Sequence, residues 1–150
     1  TEICKKEKIP LKIGIIQNPK PPNKSMEDYW RTERYNFFNA YTARHPGPLV
    51  MGHHLNDAVE WWIFSSLHGE GKLIPYENMA TNIIRPFLLT PKTKLLAWLQ
   101  RAEVPYVVDP SNRSNIHMRN YIRNNIISHV NHVNPGLQKV ISKKYVNLYG

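Results

Sequence analysis

The sequence predicts an α/β domain built on a parallel, doubly wound sheet, and three observations carry that prediction. Short apolar, strand-like runs occur at Leu11 to Gln17 (LKIGIIQ), in the PLVMGHH segment that ends at His54, and at Tyr106 to Asp109 (YVVD). Amphipathic stretches of helical length separate them. Each strand-plus-helix unit takes about 40–50 residues, the spacing of crossover-connected parallel strands. No internal repeat or flexible linker divides the 150 residues. Residues 1–150 therefore read as a single domain, with a helical tail from about 115 to 150.

The elements follow in order. Residues 1–8 (TEICKKEK) read as the end of an amphipathic helix with Ile3 and Cys4 on its inner face, closed by Pro10. Leu11 to Gln17 is β-branched and strand-like, and the three prolines of Asn18 to Ser25 make a loop. Ser25 is an expected N-cap, with Asp28 as its capping-box partner. The aromatic stripe Tyr29, Trp30, Tyr35, Phe37, Phe38 and Tyr41 makes the helix that follows. After PLVMGHH a helix is expected over Leu55 to Leu67, with Val59, Trp62, Ile63 and Ser66 on one face. The glycine loop His68 to Lys72 comes next, then a polar stretch to Asn82 and the apolar run Ile83 to Leu89. Thr90 is an expected N-cap with Pro91 at N1, for a helix over Lys92 to Ala102. YVVD leads into the turn chemistry of DPSNRS, a basic helix over about His117 to His132, and a last helix starting at Asn134-Pro135.

Composition narrows the function classes. No stretch approaches the roughly 20 apolar residues of a membrane-spanning helix. The opening is polar and lysine-rich, so no secretory signal is expected and the cytoplasm is the expected location. A single cysteine, Cys4, excludes an intramolecular disulfide and any cysteine-rich zinc or iron–sulfur site. The formal net charge of +9 is large for this size and suits either a polyanionic partner, RNA above all, or a basic protein kept soluble by its lysines.

Two segments concentrate chemistry. In GHHLNDAVE (Gly52 to Glu60), a helix starting just after the glycine would put His53, Asp57 and Glu60 at i, i+4 and i+7, on one face. That face lies where a strand hands over to a helix, the ligand-binding end of an open α/β sheet. Two carboxylates and an imidazole there suit an amine or a ribose hydroxyl, or a magnesium ion beside phosphates met at Asp57. The same residues also make a solvated helix start with acids at the positive dipole end. In DPSNRSNIHMRNYIRNN (Asp109 to Asn125), Arg119 and Arg123 stand at i, i+4; two guanidiniums projecting together match phosphate oxygens, and the same spacing equally suits a basic surface helix pairing with acids elsewhere. Arg85-Pro86 and the HGEG loop are weaker signals, since neither GxxxxGK[ST] nor GxGxxG accompanies the glycines.

In chain order, GHHLNDAVE, LHGEG, IIRPFL, VPYVVDPSNRS, MRNYIRNNII and NPGL resemble the catalytic domain of the tRNA(Ile)-lysidine synthetases, members of the PP-loop ATP pyrophosphatase group. The likeness runs from about Glu2 to Val140. It implies an adenine-nucleotide α-hydrolase-like parallel sheet, incomplete here, with a helical C-terminal segment. It also implies a two-step reaction: ATP adenylates the C2 oxygen of an anticodon cytidine, expelling pyrophosphate, and the amine of lysine then displaces AMP. On that resemblance Asp57, Glu60, Arg119 and Arg123 are the catalytic residues. His53, His54, Asn56, Arg85, Asn112 and Asn120 would bind ATP or substrate. No resident metal or tightly bound cofactor is expected, ATP and Mg2+ entering as cosubstrates; tRNA, lysine and ATP are the partners.

Three departures from the family pattern matter. Asn56 stands where the family has the first acid of an Asp-Asp pair, and Ala58 and Trp61 replace a Gln and a Thr. The C-terminal tRNA-binding domains of long family members are not in these residues. Nor is the Ser-Gly-Gly-x-Asp-Ser loop that grips pyrophosphate. The expectation is that an N-terminal half, a separate chain or a part of a longer protein, brings that loop and the central strand it follows; a rearranged dimer is the other arrangement that would close the sheet. A non-catalytic basic RNA-binding module derived from the family is the alternative from another class. A 2-thiocytidine-type thiolase is disfavoured by the single cysteine, and a GMP-synthetase or asparagine-synthetase-like amidation by the DPSN and RNxxR segments.

Overall fold

The computed structural model describes residues 2–78 and 82–149, and residues 79–81, inside the expected polar stretch, lie outside the described residues. Two compact units share the chain, Thr1–Gly47 and Pro48–Gly150.

In the first unit, α1 (Glu2–Lys6) is short, and Ile3 is exposed while Cys4 is half-buried, so the expected inner face is not buried. α2 (Met26–Thr42) starts where expected: the Asp28 N–H donates to the Ser25 hydroxyl at 3.1 Å, and that hydroxyl donates to the Asp28 carboxylate at 2.9 Å. The expected strand at Leu11 to Gln17 does not form. The segment lies along α2 instead, with Gly14 so close to the Phe37 ring that a Cβ would stand 2.7 Å from it. The Tyr29 hydroxyl donates to the carbonyl of Asn18 and anchors the far end. Ile13 and Ile15 remain 76% and 79% exposed. A β-branched run without a neighbouring strand has nothing to satisfy its ladder groups, and local propensity alone does not make it a strand.

The second unit is helical around a small mixed sheet. β1 (Leu49–Val50) pairs in parallel with β3 (Ile83–Ile84), and β2 (Glu77–Asn78) pairs antiparallel on the other side of β3. Among the described residues the expected all-parallel sheet is thus reduced to one parallel pair, with β2 arising in a stretch whose polarity gave no strand signal. Tyr106 to Asp109 forms no strand, and Val107 is 93% exposed.

α3 (Leu55–Leu67) has the expected bounds. It ends in a Schellman motif, with Gly69 at φ +82°, its N–H on the Ser66 carbonyl and the Glu70 N–H on that of Ser65. Leu55, Ala58, Val59 and Ile63 bury one face, while Ser66 is exposed. α4 (Lys92–Arg101) is capped at Pro91, not at Thr90 as expected, and buries no residue. A 3-10 turn (Pro110–Arg113) precedes a continuous helical run made of α5 (Met118–Tyr121), a π-helical turn (Ile122–Ile126) and α6 (Ile127–Val133). α7 (Leu137–Tyr149) begins after an Asx turn in which the Gly136 N–H donates to the Asn134 side chain. The core joins the buried face of α3 to Ile74, Leu88, Ile122 and the α7 residues Leu137, Ile141 and Tyr145.

Tyr145 ties α7 to the loop after α3, its hydroxyl donating to the Ile74 carbonyl at 2.8 Å. Burial, the largest cause, pushes its pKa up to about 12. The folded protein therefore holds that proton where the unfolded chain, near 10, has lost it. The hydrogen bond's stabilisation is whole below pH 10 and declines as pH rises towards 12. Tyr145→Phe is expected to cost about 1 kcal/mol at pH 8. Urea melts at pH 8 and pH 11 will show the gap between wild type and variant shrinking at the higher pH.

Candidate active site

The helix that carries the acids starts at Leu55, two residues later than a start just after the glycine would have it. His54 is the N-cap of α3: its Nδ1 accepts the Asp57 N–H at 3.4 Å, and the Asp57 carboxylate accepts the His54 N–H at 2.9 Å. His53 therefore lies outside the helix and does not share its face with Asp57 and Glu60, correcting the i, i+4, i+7 expectation. Asp57 and Glu60 do come together, on Arg123. Glu60 is 3% exposed, and its two oxygens accept from Arg123 Nε at 2.7 Å and Nη2 at 2.8 Å, a side-on bidentate pair. Asp57 Oδ1 stands 3.6 Å from the same Nη2, an ion pair without a direct hydrogen bond. Nη1 donates to the Asn112 side chain at 3.0 Å. Hydrogen bonding to Glu60, the largest cause, holds the Arg123 pKa above its ordinary value, so the guanidinium stays charged at any accessible pH.

Arg119 and Arg123 do not project as a free pair. Arg119 lies over the Trp61 ring, 4.9 Å from its centroid, a cation–π contact one residue along α3 from the carboxylate that holds Arg123. Trp61 in turn stacks on Phe64. Asn120 donates to the Ser111 carbonyl at 2.9 Å and so braces the turn that carries Asn112. Asp109 closes that turn by accepting the Ser111 N–H at 2.8 Å, and the Ser111 side chain, more than its backbone, holds the Asp109 carboxyl below the usual range. Arg85 stands apart from this cluster: it is buried, and its Nη1 donates to the Pro75 carbonyl at 2.8 Å. Among the described residues no group of three His, Cys, Asp or Glu side chains is placed to hold a metal ion.

An open groove of about 630 Å³ runs between the end of β1 and α4, lined by Gly52, Phe87, Leu95, Trp98 and Leu99 together with Lys94 and Arg101. Its lining is mostly apolar and includes none of the residues of the charged cluster.

A family profile described as a PP-loop domain matches residues 1–130. The chain belongs to the PP-loop domain family. Its relatives include proteins named tRNA(Ile)-lysidine synthase from Persephonella marina (34% identical over 85% of this chain and 28% of the relative), from Thermotoga maritima (29%, over 93% and 35%) and from Buchnera aphidicola (31%, over 84% and 30%). The likeness to lysidine synthetases read from the motifs is borne out. The chain spans about a third of the length of these relatives.

Against this PP-loop family background the Asn56 departure gains a physical account. Its side-chain carbonyl accepts the Lys92 N–H at 2.9 Å, at the start of an α4 whose own cap residue, Pro91, has no side-chain acceptor. An aspartate places the same acceptor there, so either residue serves. Asn56→Ala is expected to cost about 1 kcal/mol, whereas Asn56→Asp stays within about 0.5 kcal/mol of wild type, measured by urea denaturation. Asn115 and Asn124, which sequence reasoning did not single out, also belong to the site. Nothing in an asparagine's sequence context distinguishes a brace from a solvated side chain.

Proposed function

We propose that this chain forms the acid-and-arginine side of a tRNA-modifying ligase site, where lysine is joined to an anticodon cytidine activated by ATP. The observation that carries the reading is the cluster itself: two carboxylates, Asp57 and Glu60, converge on one guanidinium, Arg123, leaving a formal negative charge. Such a cluster attracts an amine. Glu60 spends both oxygens on Arg123 and acts through it, whereas Asp57 uses one oxygen on the His54 N–H and keeps acceptor sites for an ammonium group. In this reading Asp57 orients the lysine amine, and Arg123 and Arg119 offset the negative charge that develops when AMP leaves. Adenylation suits the problem, because an amide-like oxygen leaves poorly and AMP leaves well. Asn112 completes the Arg123 contacts, Asn120 braces the turn that carries it, and His54 caps the helix that carries the acids.

ATP gripping falls to a segment of the Ser-Gly-Gly-x-Asp-Ser type, and we place it on a complementary N-terminal half, in the same polypeptide or another. Three features support a completed parallel sheet. Among the described residues β1 is an edge strand, Tyr106 to Val108 is apolar and exposed, and α4 turns Leu95, Trp98 and Leu99 to an open groove with Trp98 54% exposed. Exposed edges and apolar faces of this kind are ordinarily covered.

The test is reconstitution. The chain, mixed with the part of the Persephonella marina relative that precedes the matched region, is expected to incorporate labelled lysine into tRNA with release of AMP and pyrophosphate. Asp57→Ala should cut incorporation at least 100-fold while tRNA affinity changes less than twofold. If incorporation survives Asp57→Ala, the assignment fails. If tRNA binds and responds only to Lys and Arg substitutions, with no incorporation in the reconstituted pair, the basic RNA-binding module is the correct reading.

A further inference from the structure

We propose that Asn124 is a positioning residue for this site: it fixes the 110–113 turn from behind, so that Asn112 closes the third side of the Arg123 guanidinium. The functional part of this inference rests on the amine-site reading above; the positioning itself does not.

The two side chains that hold Arg123 are themselves held differently. Glu60 needs no help, being built into the packed face of α3 between Val59 and Ile63. Asn112 lies in a half-exposed turn, where an asparagine side chain ordinarily samples several rotamers. Its backbone is tied down twice from the helical run. Asn120 donates to the Ser111 carbonyl at 2.9 Å, and Asn124 donates to the Asn112 carbonyl at 3.2 Å. The Asn124 side-chain amide also donates to the Asn115 side chain at 3.0 Å, so one NH2 group spans the turn and the loop that leaves it.

The π-helical turn Ile122–Ile126 lies where both asparagines reach one loop. In a regular α-helix a residue four places on overshoots its starting direction by about 40°. Asn120 and Asn124, four apart, already share a face, and the wider turn reduces that excess while Arg123 still faces α3 and Ile122 still faces the core. Arg123 is then fixed on Nε and Nη2 by α3 and on Nη1 by the braced turn. A guanidinium held on three of its edges is preorganised: its charge stays where the negative charge would develop, and the adjacent Asp57 keeps one geometry for an amine.

The experiment is guanidinium NMR on the full 150-residue chain. In wild type the Arg123 Nε–H should exchange with solvent at least 10 times more slowly than that of the exposed Arg101. Asn124→Ala, and the isosteric Asn124→Asp that lacks the NH2 donors, should each speed Arg123 Nε–H exchange at least fivefold while the amides of Val59 and Ile141 stay within twofold. Should Asn124→Ala lose the core protection as well, Asn115→Ala, which removes only the outer acceptor, is expected to speed exchange two- to fivefold with the core intact. Arg123 exchange within a factor of 1.5 of wild type in every folded variant, or an unprotected Nε–H in wild type, overturns the proposal. A titration of the reconstituted pair with L-lysine separates the two layers. Weakening of the lysine response at least threefold in Asn124→Ala supports both. A wild-type Arg123 signal that ignores lysine refutes the amine reading, and the exchange rates still decide the assignment of Asn124.

Discussion

A buried carboxylate on a core-facing helix is the constraint around which the second unit is arranged. Glu60 sits among Ala58, Val59 and Ile63, where an unpaired charge would cost several kcal/mol. Only a well-aligned, permanently charged partner offsets that, and the side-on pair with Arg123 is such a partner. The pair dictates which face the 118–133 helical run turns to α3. With Arg123 fixed there, Ile122 enters the core, Arg119 falls on Trp61, and Asn120 and Asn124 face the 110–113 turn. Chemistry and packing thus share one residue pair: the same contact that seats the helix also assembles the charged cluster.

Helices with strong local signals were legible in the sequence. Ser25 with Asp28 announces α2, and the bounds of α3 follow from its apolar period and its terminal glycine. Strands were legible only as propensity. Leu11 to Gln17 and Tyr106 to Asp109 have the composition of strands and no neighbouring strand among the described residues, and a strand is defined by its partner. β2 had the reverse problem, since Glu77 and Asn78 are poor strand formers recruited by the edge of β3.

The site was legible as a list of residues more than as geometry. The motif order brought out Asp57, Glu60, Arg119 and Arg123, but the helical wheel was wrong for His53, because His54 acts as the N-cap and moves the helix start past it. It was equally silent on the partners of Arg119 and Arg123, since i, i+4 spacing gives a shared face and not what that face meets. Asn56 shows how a departure from a family pattern reads once its contact is known: its acceptor caps a neighbouring helix, a task indifferent to Asn or Asp.

The central claim is that Glu60 and Arg123 act as one unit. A double-mutant cycle measures it directly, with Glu60→Leu, Arg123→Leu and the double variant compared by urea denaturation. Each single change should cost about 3–5 kcal/mol by stranding a charge, and the double variant should be more stable than either, with a coupling of at least about 2 kcal/mol. Costs that simply add, within about 0.5 kcal/mol, would contradict it.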